Sequence, residues 1–328
     1  MDKIAIIAGD SVIYWNSIIL TLAAATAICF FLALYIGRCA NAVAGFAAVP
    51  LSMVCGIVLA RFVHWYSRAD SYDGFMAAMT DYTSGGYALL GVCAGCILTA
   101  AVLRILFLHR NLPEMLDCMS IAGLAGIAVG RLASFFNASD RGNVLENIHS
   151  LPLAWPVTNT VSGAQEYRLA TFVLQSAVAL VLFVILVLFY TNSRKRPKDG
   201  DAFLLFLLIY GASQVVLDST RYDSLFFRSN GFVSIVQVFG AVALGFAIIV
   251  FSVRMVKARG FRFWMVPFWL LIAGFMGGAG FMEYYVQRRG NEAVFAYSVM
   301  SGCLLAVIAL TLVIRLIAVL TERKYAEL

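Results

Sequence analysis

The chain has 328 residues, of which 62% are hydrophobic and 13% charged, and its mean hydropathy is +0.88. Soluble globular chains are about 45–50% apolar, so this composition excludes a soluble domain and points to a polytopic membrane protein. The net charge of +6 sits mostly in short loops, where it reports orientation and not nucleic-acid binding.

A bilayer is crossed by about 20 apolar residues. Nine such runs follow one another, near 12–36, 43–66, 86–108, 115–137, 168–191, 201–221, 230–253, 263–286 and 294–320. The fold class expected is an all-α polytopic membrane protein, a bundle of nine transmembrane helices with a small extracytoplasmic head. One set of loops carries Arg38; Arg104 and Arg110; Arg194, Lys195, Arg196 and Lys198; Arg254, Lys257, Arg259 and Arg262; Arg315, Arg323 and Lys324. These are 14 of the 24 basic residues. The opposite loops hold Asp2, Asp10, Asp70, Asp73, Asp81, Asp140, Glu146, Glu166, Asp223 and Glu292. Basic loops stay inside, so the amino terminus is expected outside and the carboxy terminus in the cytoplasm. The one sizeable extramembrane piece, 138–167, contains Pro152, Trp155, Pro156 and Gly163. At about 30 residues it holds no core of its own and reads as an irregular or short-stranded cap lying on the helices.

The second run ends RFVHWYSR, placing Arg61, His64, Trp65 and Arg68 on one helical face. That face is a candidate polar wall, or an interfacial belt of the usual kind. The third opens TSGGYALLGVCAG, and Gly91 and Gly95 permit close helix approach, as do Gly123, Gly126 and Gly130 in the fourth. The sixth ends IYGASQVVLDSTRYDS. There Tyr210, Gln214, Asp218 and Arg221 share a helical face, a stripe expected to line a bundle interior or a wet cavity. Gln237 adds a neutral polar group to the seventh. In the eighth, Gly274 and Gly278 read as a packing pair, and Glu283 as a cavity carboxylate or, in preference, a rim residue.

Six of the seven cysteines (Cys29, Cys55, Cys93, Cys96, Cys118 and Cys303) fall within apolar runs, which favours buried thiols over a disulfide framework. No Walker loop, HExxH, GxSxG, inverted repeat or metal-ligand cluster stands out, so no metal site is expected.

The stretch that organises the chain is Gly130–Gly142, GRLASFFNASDRG. Arg131 falls within an apolar run, where an unpaired arginine costs roughly 2.5–3.5 kcal/mol on insertion scales. An anionic lipid headgroup near the outer leaflet is one partner for it; a carboxylate is the other.

This stretch resembles the signature of bacterial prolipoprotein diacylglyceryl transferases, Gly-Arg-x-Gly-Asn-Phe-x-Asn-Gly-Glu-x-x-Gly. Gly130, Arg131, Phe135, Asn137 and Gly142 match; Ala133, Ser134, Ala138 and Ser139 depart. Other stretches agree in order. SGGYALLGV is similar to the family's glycine-rich loop, without the histidine often found there. LPEMLDCMSIAGLAGIAVGR is similar to the helix leading into the signature, and RLATFVLQSAV stands where the family has a segment beginning Arg-His-Pro-Ser-Gln. YGASQVVLDSTR resembles Tyr-Gly-x-x-Arg-x-x-x-Glu-x-x-Arg, with Gln214 for the arginine and Asp218 for the glutamate. GFVSIVQVFG is similar to the next helix. The resemblance covers roughly 20–250. It implies a membrane domain over 1–258, carrying the head at 138–167, and leaves 259–328 as an additional C-terminal helical hairpin.

The resemblance also implies chemistry in the bacterial cytoplasmic membrane. A diacylglyceryl group passes from phosphatidylglycerol to the lipobox cysteine thiol of an exported prolipoprotein. The implied partners are membrane lipid and prolipoprotein signal peptides, with no cofactor and no nucleic acid. Candidate catalytic residues are Arg131, which would steady the leaving glycerol phosphate, Asp218, and His64 as proton acceptor with His149 its rival. Candidate substrate-binding residues are Arg61, Asn137, Asp140, Gly142, Tyr210, Gln214 and Arg221. Gln214 and the missing loop histidine keep a second class open, a lipid-binding or accessory membrane protein of the same fold.

Overall fold

The structure, a computed structural model, describes residues 3–8, 11–39, 41–81, 85–106, 111–137, 139–145, 152–159, 163–192, 198–227, 230–288 and 293–326. His149 lies outside them. The described residues are essentially all-α. The helices are α1 (Trp15–Cys39), α2 (Ala42–Ser67), α3 (Phe75–Thr80), α4 (Leu89–Ile105), α5 (Leu112–Gly130), α6 (Thr171–Thr191), α7 (Asp201–Ser219), α8 (Ile235–Arg259), α9 (Val266–Arg288) and α10 (Ala293–Ala326).

Eight of these, α5 taken with the 3₁₀ turn Arg131–Phe135 after it, are long and apolar enough to cross a membrane. Leu20, Leu22, Val54, Val181, Ile185 and Leu270 stand exposed on them, as expected of surfaces that face lipid. The chain is a polytopic membrane bundle. The third apolar run differs from expectation: α4 has 17 residues and is about 26 Å long. Gly85 and Gly86 have φ of +69° and +80°, which no α-helix accommodates, so the helix starts only at Leu89.

The helices form two compact units. The first comprises Met1–Phe206 with Thr220–Val236. Here α4 lies directly on α2: a Cβ on Gly91 would stand 2.3 Å from the Leu59 carbonyl, and one on Gly95 2.5 Å from the Gly56 nitrogen. At one end of this unit, Asp117 of α5 accepts the Gly200 and Phe203 amides, both at 2.7 Å, and so caps the first turn of α7. Arg38 reaches Glu114 at 3.4 Å and lies 4.1 Å above the Tyr190 ring. The second unit comprises Leu207–Ser219 with Gln237–Leu328, where α9 and α10 pack as a hairpin. Gly274 has open space beside it and Gly278 meets only Cys303 Sγ at 3.4 Å, so the expected glycine pair does not bring these helices close. Glu283 is buried in α9, as a snorkelling side chain would not be, and its Oε1 accepts from Gln287.

Short strands accompany the helices, and two of them, Ser11–Tyr14 and Asn230–Ser234, take the first residues of runs expected to be helical. Strands β1 (Ile4–Ala8) and β2 (Ser11–Tyr14) pair as a hairpin ahead of α1. The cap carries a second hairpin, β3 (Ala154–Thr158) with β4 (Gln165–Leu169), in keeping with a short-stranded head. A third, β5 (Phe226–Phe227) with β6 (Asn230–Ser234), takes the first residues of the seventh run, so α8 begins only at Ile235. Aromatic and β-branched side chains in SVIY and GFVS suit a pleated surface, and apolarity alone cannot separate that from helix.

Candidate functional site

Arg131 is not inside an α-helix. It caps α5 and opens the 3₁₀ turn, and the chain then doubles back through Asn137 to Gly142. Gly142 donates its amide to Leu169 and forms an antiparallel bridge with Arg221. A Cβ on Gly142 would lie 2.7 Å from Leu169 Cβ, 2.8 Å from the Thr220 carbonyl and 2.9 Å from Thr171 Oγ1, so only glycine fits. The same passage joins the loop to α6, where Phe172 donates its amide to the Asp140 carbonyl at 3.1 Å.

Asp140 is the hub. Its Oδ1 takes Arg131 Nη1 at 2.7 Å and Arg221 Nη2 at 2.8 Å; Ser134 Oγ donates to Oδ2 at 3.0 Å. Its backbone has φ +59°, a left-handed conformation that aspartate tolerates better than most residues. Asp223 secures it: Oδ2 accepts the Asp140 amide at 3.0 Å, while Oδ1 takes Arg221 Nε at 3.1 Å and Nη2 at 3.0 Å. Burial alone would push the Asp140 carboxyl up. The charges of Arg131 and then Arg221, with hydrogen bonds from Arg131 and Ser134, outweigh it and hold the group down at about 2. Two guanidinium groups are thus held against one permanently ionised carboxylate, and an oxyanion can approach them without a proton being moved. Asn137 accepts the Ser139 amide at 2.7 Å and the Ser139 hydroxyl, which closes the turn.

A second cluster sits on α2. Arg61 is buried and its guanidinium is given over to backbone: Nε donates to Ala78, Nη1 to Gly85 and Gly86, and Nη2 to Asp81. Tyr72 and Tyr87 flank it with ring centroids at 5.1 and 5.5 Å. Arg61 therefore ties α3 and the glycine-rich loop to α2. His64 Nδ1 lies 3.2 Å from Tyr72 Oη, and a Cβ on Gly86 would strike the imidazole at 2.6 Å. The segment bearing Arg221 and Asp223 also reaches α2, with Phe227 and Tyr66 rings 6.4 Å apart. An apolar cavity of about 300 Å³ opens beside Arg61, lined by Ile57, Val58, Phe75, Met79 and Tyr87.

In the second unit Tyr210, Gln214 and Asp218 are all buried on one face of α7. Arg221 does not share that face. The helix ends at Ser219, so Arg221 lies in the connection beyond it and in the first unit. The structure thus gathers Arg131, Asn137, Asp140, Gly142 and Arg221 in one network, Arg61 and His64 in another, and Tyr210, Gln214 and Asp218 on α7.

Three network residues escaped the sequence reading: Ser134, Asp223 and Arg141. Asp223 counts in the sequence only as one acid among those of the outer loops, and the turn that follows Ser219 is what brings it to Arg221. Arg141 Nη2 donates to the Ser134 and Asn137 carbonyls, at 3.3 and 2.5 Å.

A sequence profile of the prolipoprotein diacylglyceryl transferase family matches residues 3–253. Among similar curated proteins is the phosphatidylglycerol–prolipoprotein diacylglyceryl transferase of Streptococcus sanguinis, 26% identical over 197 residues, 57% of this chain and 73% of that protein. The proteins of the same name from Streptococcus pyogenes and Streptococcus agalactiae are 26% and 27% identical over 186 and 185 residues. Each of those two matches spans 55% of this chain and 66% of the relative, just under two thirds of its length. With the profile covering most of its length, and the signature loop folded around Arg131 and Gly142, the chain belongs to the prolipoprotein diacylglyceryl transferase family.

Proposed function

We propose that the chain transfers a diacylglyceryl group from phosphatidylglycerol to the lipobox cysteine of an exported prolipoprotein. It does so in the bacterial cytoplasmic membrane, with the amino terminus and the 138–167 head outside and the carboxy terminus in the cytoplasm. Basic residues at the ends of α1, α4 and α8, together with Lys198 and Arg262, support that orientation. Residues 1–258 form the transferase domain and 259–328 an appended hairpin.

In the step itself the cysteine sulfur attacks the glyceryl carbon that bears the phosphodiester oxygen. A carbon–sulfur bond forms, the carbon–oxygen bond breaks, and the electron pair leaves on glycerol phosphate. The thiol proton passes to a base. Arg131 and Arg221 are poised to take the charge that grows on the phosphate. Asp140 is not the base: with a carboxyl held at about 2 and both oxygens occupied, it has no affinity for a proton at neutral pH. His64, oriented by Tyr72, is the proton acceptor in this reading.

The observation that carries the reading is the paired Arg131 and Arg221 on one carboxylate, inside the loop that bears the family signature. The test is lipidation of a lipobox peptide by the purified chain in phosphatidylglycerol nanodiscs. The expected result is a diacylglyceryl mass gain on the peptide thiol with release of glycerol phosphate. A protein that retains phosphatidylglycerol yet leaves the thiol unmodified, and does not restore lipoproteins in cells depleted of their own transferase, is a lipid-binding relative instead.

A further inference from the structure

Arg131 and Arg221 each touch a carboxylate; Arg141 does not. Its side chain is only 8% exposed, and among the described residues no carboxylate lies within ion-pair distance of it. One nitrogen donates to two carbonyls, and the buried Nε has no acceptor among the described residues. The charge nearest in effect is another cation, Arg168 of β4. Burial and then the charge of Arg168 both push the Arg141 guanidinium down from its ordinary value. Arg168 itself holds Glu166 at 3.2 Å and lies over the Tyr222 ring at 4.6 Å. Glu166 thus serves Arg168, and Arg141 is left with carbonyl partners and a neighbouring cation. A buried cation without a counter-ion is costly, and such a group is retained where an anion arrives to complete it. The position is reachable. Tyr222, whose amide donates to the Arg141 carbonyl at 2.8 Å, is 72% exposed, so the pair lies just under the surface of the head.

We propose that Arg141, assisted by Arg168, is a phosphate-binding point of the head, one that takes a phosphate monoester or diester oxyanion. This deepens the transferase reading and rests on it for the identity of the lipid. The donor headgroup and the released glycerol phosphate offer the same chemistry, and the assay separates them.

The full chain is placed in nanodiscs of phosphatidylcholine doped with phosphatidylglycerol or with diacylglycerol of the same acyl chains, and lipid retention is read by native mass spectrometry. Free glycerol phosphate and inorganic phosphate serve as competitors. Arg141→Gln is expected to weaken phosphatidylglycerol retention about tenfold or more and to leave diacylglycerol retention unchanged, as loss of a charge-assisted contact requires. Arg141→Lys keeps the charge and is expected to keep most of the preference; Arg168→Gln is expected to weaken it by a smaller factor. Competition by glycerol phosphate that disappears in Arg141→Gln assigns the point to the product; competition unchanged in that variant assigns it to the lipid headgroup. Unaltered phosphatidylglycerol retention in Arg141→Gln overturns the proposal, and so does equal loss of both lipids with a lowered melting temperature, which marks Arg141 as a loop clamp only. Should Arg141→Gln not fold, Arg141→Lys and Arg168→Gln decide, and an unchanged lipid preference in Arg168→Gln with its loss in Arg141→Lys overturns it. Transfer by the parent chain with an Arg141→Gln KM for phosphatidylglycerol equal to the parent's refutes this inference and leaves the transferase reading standing. Arg141-dependent lipid retention without transfer does the reverse.

Discussion

Arg61 and Arg131 pose the same physical problem and receive different answers. Both are arginines near the end of an apolar run, and both are buried or nearly so. Arg61 spends its donors on four backbone carbonyls, and the side chain of Asp81 stands off at 3.9 Å. Arg131 meets a carboxylate at 2.7 Å that a second arginine shares. Carbonyls fixed by the chain path cannot be exchanged for a ligand without unfolding a loop. A shared carboxylate can yield part of its hold to another oxyanion while the backbone stays put. The first arrangement builds the site and the second is suited to operate it.

The sharpest test sets the two acids against each other. Asp140→Asn leaves two guanidinium groups facing a neutral amide and is expected to destabilise the protein by about 3–5 kcal/mol. Asp81→Asn keeps the carbonyl that Arg61 uses and is expected to cost less than about 1 kcal/mol. Chemical denaturation in detergent reads both; equal losses would erase the distinction. Next come the cations. Arg61→Lys replaces a fork with a single ammonium that cannot reach four carbonyls, and is expected to cost about 2–3 kcal/mol. Arg131→Lys preserves a charge against Asp140 and is expected to cost about half of that in stability while lowering transfer activity more steeply.

The pH dependence follows from the same hub. The Asp140 carboxyl stands at about 2 in the folded protein, below the ordinary value of about 3.9. Its contribution, about 2–3 kcal/mol, is complete above pH ~4 and is lost as pH falls towards 2, because the unfolded chain takes up the proton first. The parent should therefore lose melting temperature below pH ~4, and Asp140→Asn should lose less over the same interval. Parallel curves would show that Asp140 is not the group responsible.

How far the sequence carried the reading depends on the kind of signal. Each of the nine apolar runs contains a helix, and eight of these, among the described residues, meet the length and apolarity that a bilayer demands. Gly91 and Gly95 announced the close approach of α4 to α2, since small residues four apart leave room for backbone. The apolar runs overshoot the helices on both sides of the connection between α7 and α8. Arg221 falls just beyond the last turn of α7, and β6 replaces the first turn expected of α8. Hydropathy does not register where a helix stops, and the network depends on that stop: the chain turns after Ser219, and Arg221 and Asp223 meet at Asp140. Arg61 was legible as a deep charge but not as a loop tether, because its partners are carbonyls, which every residue carries and no pattern marks.

Gln175 gives the finest contrast. It is wholly buried in α6, one turn beyond Thr171, and neither amide atom has a partner among the described residues. Where Arg131 has a carboxylate and Arg61 has carbonyls, this amide has neither, though its neighbour Ser176 bonds the Ala128 carbonyl at 2.5 Å. An unsatisfied buried amide costs free energy that an apolar side chain of similar size does not. Gln175→Leu is therefore expected to stabilise the chain by about 1–2 kcal/mol and to leave transfer intact. A destabilised Gln175→Leu protein would mean that the amide is bonded in the working membrane. If transfer fell with it, α6 would join the signature loop as part of the substrate site.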